Sequence, residues 1–158
     1  MNVRVSNELS DVEREVIAAI RSIRRSETHE LRRILSDDPA RLMRHFILAT
    51  HGHVKFRLAP IANELAVEMR TLQRDFVRAF QRSMHQCKVD ERLSYSKFML
   101  RAIPPTKISA IASTLGYDTA SDFVRFFEHC EHKTPSVWRR AERGRVEQEE
   151  RTGVKRPN

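Results

Sequence analysis

A pattern of apolar residues that occurs twice constrains the fold of this chain more than any other feature of the sequence. In each copy, four apolar residues are spaced at i, i+3, i+4 and i+7, which places them on one face of a short helix. The first copy consists of Leu58, Ile61, Ala62 and Leu65, and the second of Ile108, Ile111, Ala112 and Leu115. Because the two sets match position for position at a separation of 50 residues, the sequence predicts two copies of one supersecondary unit.

A second helix is predicted after the first in each copy, now at a separation of 51 residues. Gly116 ends the first helix of the second copy, and Asp118 or Thr119 can cap the helix that comes next. The matching pairs of these second helices are Leu72 with Phe123, Arg74 with Arg125, and Phe76 with Phe127. Two short helices joined by a tight turn, with an exposed arginine on the second one, are typical of a helix-turn-helix.

The second helix of the first copy has a polar stripe beside its predicted apolar face. That apolar face consists of Met69, Leu72, Phe76 and Phe80, and the stripe of Arg70, Gln73, Arg74 and Val77. Arginine can bond guanine O6 and N7 in the DNA major groove, and glutamine can bond adenine N6 and N7. The carboxylates of Glu68 and Asp75 argue against this interpretation because they repel phosphates, unless Asp75 pairs with a nearby arginine such as Arg78 or Arg82.

The positive charge of the chain coincides with the repeated units. Residues 39–140 contain 17 Lys and Arg against 9 Asp and Glu, which accounts for the entire net charge of +8. A basic domain attracts polyanions, and contacts from Lys and Arg to phosphates supply most non-specific affinity for nucleic acid. The alternative is a solvated basic surface without a partner, which the coincidence of charge and repeat disfavours.

Other features of the composition favour an all-α protein. There are only 4 Gly and 6 Pro, and runs of β-branched residues are nearly absent. The two cysteines lack a CxxC spacing, and no apolar run approaches the roughly 18 residues of a membrane span, so we expect a cytoplasmic protein without a membrane partner. The His and Cys residues at 85–87 and 129–132 match no zinc framework, and we see no catalytic set. We therefore expect no metal, no cofactor and no enzymatic activity.

Residues 1–36 are predicted to form a helical N-terminal arm. Ser10 and Glu13 have the spacing of a capping box, and apolar residues then mark a helix that ends near Arg25. A second helical segment is predicted over residues 27–35. The apolar face of the arm includes Ile17, Ile20, Ile23, Leu31, Ile34 and Leu35. This face either forms a homodimer through residues 10–35 or packs back on its own domain.

Residues 37–140 are predicted to form one domain that contains both helix-turn-helix units. Asp38 is the expected N-cap and Pro39 the first residue of its opening helix. Leu42, Phe46 and Ala49 mark the buried side of that helix.

A connecting helix between the two units is predicted from about Lys88 to Ala102, and Pro104 stops it. Its predicted inner face consists of Val89, Leu93 and Leu100. Thr134 and Pro135 are predicted to open a last helix that Val137 and Trp138 anchor. Residues 141–158 are mixed in charge, and we expect a frayed charged tail there.

A family pattern is met along about two-thirds of the chain. In the second copy its residues are Ile111-Ala112, Gly116-Tyr117, Ser121, Phe123, Arg125, Phe127, Thr134-Pro135 and Trp138-Arg139. In the first copy Leu72-Gln73-Arg74 and Phe76 match, as does Arg92-Leu93 in the connecting helix. With these residues, the segment from about Pro39 to Arg140 resembles the DNA-binding domain of the arabinose-operon regulator (AraC/XylS) family of bacterial transcription factors.

The resemblance implies an all-α domain in which two helix-turn-helix subdomains are held by a connecting helix. It also implies that both recognition helices enter successive major grooves of double-stranded DNA. Transferred to the matching positions, the base-contacting residues of the first recognition helix are Arg70, Gln73 and Arg74. Those of the second are Ala120, Ser121, Val124 and Arg125.

The chain departs from the family pattern at four positions. Ala66 and Glu68 replace the usual Gly and Ser of the first turn, and Gln81 and His132 replace the glycine after each recognition helix. Since glycine permits positive φ at helix ends, we expect these loops to be longer or differently shaped here.

The resulting functional hypothesis is a sequence-specific, double-stranded DNA-binding transcriptional regulator. Arg125 has a competing interpretation, in which it only pairs with Asp122 or Glu128 on the helix surface. For the whole chain, the competing hypothesis is a degenerate helix-turn-helix module that binds another regulator or RNA polymerase. Glu68 and the replaced glycines motivate that second hypothesis.

Overall fold

The structure, a computed structural model, describes residues 8–25, 33 and 37–152. Every regular element in this part of the chain is an α-helix, which confirms the predicted all-α class. The eight helices are α1 (Asp11–Arg25), α2 (Pro39–Ala49), α3 (Leu58–Glu64), α4 (Met69–Phe80), α5 (Met84–Arg101), α6 (Ile108–Thr114), α7 (Ala120–Glu131) and α8 (Pro135–Thr152). The chain divides between Glu91 and Arg92 into two compact units.

The core of the N-terminal unit is built from α1, α2, α3, α4 and the start of α5. The apolar pattern of α3 contributes Ile61, Ala62 and Leu65, and that of α4 contributes Leu72 and Phe76. The other buried members are Val16, Ile17, Ile20, Ala40, Leu42, Met43, Phe46, Ile47, Phe56, Met84 and Cys87. Burial of this apolar surface is the main stabilising contribution to the unit.

Helix α1 begins with the predicted capping box. The Ser10 N–H donates to Glu13 Oε2 at 2.8 Å, and the Glu13 N–H donates to Ser10 Oγ at 3.4 Å. The Glu13 side chain is fully buried, and it accepts hydrogen bonds at 2.8 Å from the Arg57 N–H, Nε and Nη2. This ion pair joins the start of α1 to the residue that precedes α3.

The apolar face of α1 lies in the core of its own unit. Val16, Ile17 and Ile20 are buried there, as the alternative of packing back on the domain requires. Arg21 and Arg24 on the exposed side reach Glu64 at the end of α3, at 3.0 and 3.2 Å. The second predicted segment of the arm, residues 27–35, lies outside the described residues except for position 33.

Helix α2 begins as predicted but buries a different set of residues. Asp38 accepts a hydrogen bond from the Arg41 N–H at 2.9 Å, and Pro39 occupies the first turn. Ala49 is exposed, so its predicted burial was wrong, whereas Met43 and Ile47 are buried. The helix turns a broader face to the core than the i, i+4 spacing alone indicated.

The core of the C-terminal unit is rich in aromatic side chains. Its buried residues are Leu100, Ile111, Ala112, Leu115, Phe123 and Phe127. The Phe127 ring packs edge-on against Trp138 with centroids 6.0 Å apart, and Tyr117 contacts both Phe123 and Phe126 at 5.8 Å. The Arg92 guanidinium lies 5.1 Å from the Phe126 centroid, and covers this edge of the core.

Helix α5 begins earlier than predicted because a second capping box, formed by Ser83 and Gln86, starts it. The Ser83 N–H donates to Gln86 Oε1 at 2.8 Å, and the Gln86 N–H donates to Ser83 Oγ at 3.1 Å. Helix α5 therefore starts at Met84, four residues before Lys88. Of its predicted inner face, Leu100 is fully buried, while Val89 and Leu93 are half-buried.

Helix α8 is anchored by one of its two predicted residues and is longer than predicted. Val137 is half exposed and does not anchor the helix, whereas Trp138 packs on the core. The expected fraying after Arg140 was also wrong, because the helix continues to Thr152. Ion pairs of Glu142 with Arg101 at 2.8 Å and of Arg145 with Glu149 at 2.8 Å line this extension.

Within the part of the chain that the structure describes, no helix combines the length and the apolar character needed to cross a lipid bilayer.

Candidate nucleic-acid interface

The two predicted helix pairs are present, and they correspond residue by residue. Helices α3 and α6 both contain seven residues and begin 50 positions apart. Helices α4 and α7 both contain twelve residues and begin 51 positions apart. The single inserted residue therefore lies in the turn of the second pair, as the change in separation predicted.

The turns of the two pairs begin with the same backbone conformation, although their residues differ and the second turn is one residue longer. Ala66 and Gly116 have positive φ, 58° and 81°. The residue after each donates its N–H to the alanine in the middle of the preceding helix: Val67 to Ala62 O at 3.1 Å, and Tyr117 to Ala112 O at 2.9 Å. The expectation of a differently shaped first turn was therefore wrong, because Ala66 adopts the left-handed conformation that glycine usually supplies.

The ends of α4 and α7 also match. Gln81 and His132 follow these helices with φ of 55° and 56°. Each N–H caps the helix, Gln81 to Val77 O at 2.9 Å and His132 to Glu128 O at 2.8 Å. Gln81 and His132 thus adopt the left-handed conformation that glycine permits at a helix end, although both have side chains.

Helix α4 buries one face and exposes the predicted polar stripe on the other. Leu72 and Phe76 lie in the core, with the Phe80 ring 4.7 Å from that of Phe76. Every predicted contact residue of this helix is exposed, and the exposed face continues with Val77 and Arg78. The predicted residues are Arg70, Gln73 and Arg74.

Asp75 and Glu68, the two carboxylates at α4, lie in different environments. Of the partners predicted for Asp75, Arg78 lies near it, whereas Arg82 pairs with Asp90 at 3.0 Å. Asp75 Oδ1 lies 3.3 Å from Arg74 Nε and 3.9 Å from Arg78 Nη1, so its charge is offset locally. Glu68 is exposed directly before the helix and makes no side-chain capping bond. Its negative charge near the positive end of the helix dipole is favourable even without such a bond.

Helix α7 begins at a side-chain cap and presents a shorter polar face. Of the two candidate caps, Thr119 is the one used, and its Oγ1 accepts a hydrogen bond from the Asp122 N–H at 3.1 Å. Ser121 and Arg125 are exposed, whereas Ala120 and Val124 are half-buried. Arg125 stands out from the helix with 77% of its side chain accessible to solvent.

Arg125 is ion-paired with Asp122, three residues earlier on the same helix. The other oxygen of Asp122 accepts a hydrogen bond from the Thr119 hydroxyl at 2.7 Å. The hydrogen bonds from Thr119 and from Arg125 hold the pKa of Asp122 below its usual value. The carboxylate is thus kept ionised beside the arginine.

The structure brings the predicted contact residues into two groups, one on the exposed face of α4 and one at the start of α7. Arg78 extends the first group, although the sequence had suggested it only as a partner of Asp75; its position at i+4 from Arg74 was a usable signal. It considered Asp122 only as a competitor for Arg125. The Thr-x-x-Asp spacing of a capping box could have identified Asp122 as part of the helix start.

A metal centre has no support in this geometry. In the part of the chain that the structure describes, His, Cys, Asp and Glu side chains form no group of three or more that could hold a metal ion. Cys87, one of the candidate ligands, is buried in the apolar core, and burial raises the pKa of its thiol.

Comparison with known families decides the assignment. The sequence model of the helix-turn-helix domain family of the AraC/XylS type matches residues 61–141, just over half of the 158 residues. The chain belongs to this family. Its members are DNA-binding transcription regulators, and the matched residues run from the last turn of α3 into α8. A comparison with curated protein sequences found no significant match.

Two solved structures share the family fold. One is the C-terminal domain of AraT, a response regulator from Geobacillus stearothermophilus, with 24% sequence identity and a TM-score of 0.58. The match covers 65% of this chain and 84% of that domain. The other is the DNA-binding domain of AdpA, the global transcriptional factor, in complex with a target DNA. It shows 19% identity and a TM-score of 0.60, and the match covers 70% of this chain and 98% of the AdpA domain.

Proposed function

We propose that this protein is a sequence-specific, double-stranded DNA-binding transcriptional regulator that reads its site with two recognition helices, α4 and α7. The observation that carries the proposal is the duplicated helix pair. In both copies one face of the second helix is buried in a core while the opposite face presents an arginine at the same position, Arg74 and Arg125.

The side chains on the exposed face of α4 suit the edges of bases. Arg70 and Arg74 can each donate two hydrogen bonds to guanine, and Gln73 can exchange two with adenine. On α7, Arg125 would read guanine, Ser121 would bond a base edge or a phosphate, and Ala120 and Val124 would contact thymine methyl groups. The side chains of Ala120 and Val124 have no hydrogen-bonding group, so contact with a methyl group is the base contact available to them.

The distribution of charge supports a polyanionic partner. The net charge of +8 of the chain is located between residues 39 and 140, which contain both helix pairs. We therefore propose that the DNA-reading part lies within residues 37–140 and that steep salt dependence accompanies its binding. The AdpA domain, which has the same fold, was solved with a target DNA, and this agrees with duplex DNA as the partner.

For α1, the described helix of the N-terminal arm, we propose a role in the core of its own unit and not in a homodimer. Of the apolar side chains predicted for a homodimer face, Ile17 and Ile20 are buried within the N-terminal unit, and Ile23 packs partly buried against the same core. We therefore propose that α1 supports the core on which α4 rests.

Selection of bound duplexes from a random library, at about 0.15 M salt, tests the proposal. Two preferred blocks of bases centred about one helical turn apart, roughly 10 base pairs, are expected if both recognition helices enter successive major grooves. Two substitutions that replace an arginine, and its positive charge, with glutamine give the link to the two helices. Arg74→Gln should weaken the preference in only one block, and Arg125→Gln only in the other.

Two other outcomes would contradict the proposal in different ways. A single block would mean that only one helix reads bases. No enrichment, together with duplex binding that is absent at moderate salt, would favour the protein-interaction alternative and a partner such as RNA polymerase. The exposed carboxylate of Glu68, directly before α4, supports this alternative because it would repel phosphates.

A further inference from the structure

A chain of three side chains crosses the first turn of α7. The Thr119 Oγ1 accepts a hydrogen bond from the Asp122 N–H at 3.1 Å and donates its own hydrogen to Asp122 Oδ2 at 2.7 Å. Asp122 Oδ1 accepts from Arg125 Nη2. Both carboxylate oxygens therefore have a partner, and one of those partners is the residue that caps the helix.

This chain restricts where the Arg125 guanidinium can be. Because Asp122 precedes Arg125 by three residues, their ion pair draws the long arginine side chain toward the N-terminal end of α7. The N-terminal residues of a recognition helix are those that contact base edges. Only Nη2 contacts the carboxylate, so further N–H donors of the guanidinium remain directed away from Asp122.

The corresponding arginine of α4 is held in another way. Thr71 stands at the position of α4 that matches Asp122, so no carboxylate precedes Arg74 by three residues. The carboxylate near Arg74 belongs to Asp75, which follows it by one residue and lies between Arg74 and Arg78 at 3.3 and 3.9 Å. Preorientation toward the helix N-terminus is thus a property of α7.

From these contacts we infer that Asp122 is a positioning residue for base recognition, which holds Arg125 in the orientation that bonds guanine. The carboxylate also repels phosphates, so it lowers affinity for every duplex while it raises the preference for one base pair. Asp122 thus lowers the affinity and raises the sequence preference. A residue with only a structural role would not change these two quantities in opposite directions. The inference rests on the proposed role of α7 as a recognition helix.

Glu128 offers a matched control on the same helix. It is exposed one turn after Arg125, so Glu128→Gln removes the same charge from α7 without touching the Thr119–Asp122–Arg125 chain. The test compares the full-length wild type with Asp122→Asn, Glu128→Gln, Arg125→Ala and the double variant Asp122→Asn/Arg125→Ala. For each, the dissociation constant is measured for the selected duplex, for duplexes changed at single base pairs, and for an unrelated duplex.

Arg125→Ala identifies the base pair that Arg125 reads, with an expected loss of about tenfold or more in preference there. Asp122→Asn should lose about three- to tenfold in preference at the same base pair, since orientation but not the donor is lost, and should bind the unrelated duplex more tightly. Glu128→Gln should bind all duplexes more tightly and keep the wild-type preference. In the Arg125→Ala background, Asp122→Asn should leave the preference unchanged.

Wild-type preference in Asp122→Asn, or an equal loss of preference with and without Arg125, would overturn the inference. Failure of the wild type to select any sequence would overturn the proposed function and this inference together. Thermal unfolding checks that the variants are folded. Since Thr119 still caps the helix through the backbone N–H of residue 122, Asp122→Ala provides a second variant with the same expected loss of preference.

Discussion

Ala66 and Gly116 adopt the same left-handed backbone at the same point of the two helix pairs, with φ of 58° and 81°. The hydrogen bond that follows each is the same, from the next N–H to the alanine of the preceding helix. A residue with a side chain is less stable in this conformation by about 1 to 2 kcal/mol, whereas glycine is not. Ala66 therefore makes the N-terminal unit less stable than a glycine in the same conformation would.

Replacing Ala66 with glycine should stabilise the N-terminal unit. Relief of the left-handed conformation contributes about 1 to 2 kcal/mol, and the greater freedom of glycine in the unfolded chain offsets about 0.4 to 1 kcal/mol of that. We expect a net increase of about 0.5 to 1 kcal/mol in the free energy of unfolding, measured by urea denaturation and circular dichroism.

Gly116→Ala is the matched control, and it should destabilise the protein by about 1 kcal/mol or more because Gly116 is also buried. If Ala66→Gly lowers stability instead, the Ala66 side chain has a packing role that outweighs its backbone strain.

The buried ion pair between Glu13 and Arg57 should be a major support of the N-terminal unit. Glu13→Gln removes a fully buried charge that accepts bonds from the Arg57 side chain and two backbone N–H groups. We expect a loss of about 2 to 3 kcal/mol in the free energy of unfolding, because Arg57 loses its anionic partner. Glu15→Gln, at an exposed position of the same helix, should change stability by less than about 0.5 kcal/mol.

The same pair predicts a dependence of stability on pH. Burial alone raises the pKa of Glu13, but the bonds from Arg57 and Ser10 outweigh it and lower the pKa from 4.5 to about 2. A lowered pKa in the folded state stabilises the fold above pH 4.5, and this contribution is lost as pH falls from 4.5 toward 2. Unfolding curves of wild type and Glu13→Gln should therefore converge over that range, and a constant difference between them would contradict the assignment.

Much of the fold could be predicted because the repeat carries redundant information. Two copies of one apolar spacing located α3, α4, α6 and α7, and the change from 50 to 51 residues located the insertion in the second turn. Caps were also readable, since Ser10, Asp38 and Thr119 each have a side-chain oxygen at the right distance from the helix start.

The predictions were wrong where a rule based on one residue or on local composition was applied without the backbone geometry or the side-chain pairing along the helix. A missing glycine suggested an altered loop, but the exposed residue Ala66 adopts the left-handed region at a modest energetic cost. Its N–H donates to Asn63 O at 3.0 Å, and the next N–H donates to Ala62 O at 3.1 Å. The mixed charges after Arg140 suggested fraying, but Glu142 and Arg145 are spaced to pair along a helix. The orientation of Arg125 could not be predicted, because one sequence offered both Asp122 and Glu128 as partners.

Removal of apolar contacts from α1 should destabilise the core that positions α4. Ile20 is fully buried in that core. Ile20→Ala should lower the free energy of unfolding by about 2 to 4 kcal/mol through lost burial and the cavity that remains. A change within about 0.5 kcal/mol, as expected for an exposed position such as Ala19→Ser, would mean that α1 does not pack as the structure describes.

Arg74 and Arg125 occupy equivalent positions, so their substitution should have equivalent but separate effects on DNA recognition. Each Arg→Ala change should weaken binding to the selected duplex by about 1 to 3 kcal/mol and abolish the preference at one base pair of its own block. Competition binding with duplexes changed at single positions measures both quantities. Arg145, which pairs with Glu142 and Glu149, supplies the control, because Arg145→Ala removes the same charge from α8, a helix with no proposed base contact. If all three variants lose affinity equally for every duplex, the arginines contact phosphates only, and neither helix reads bases through them.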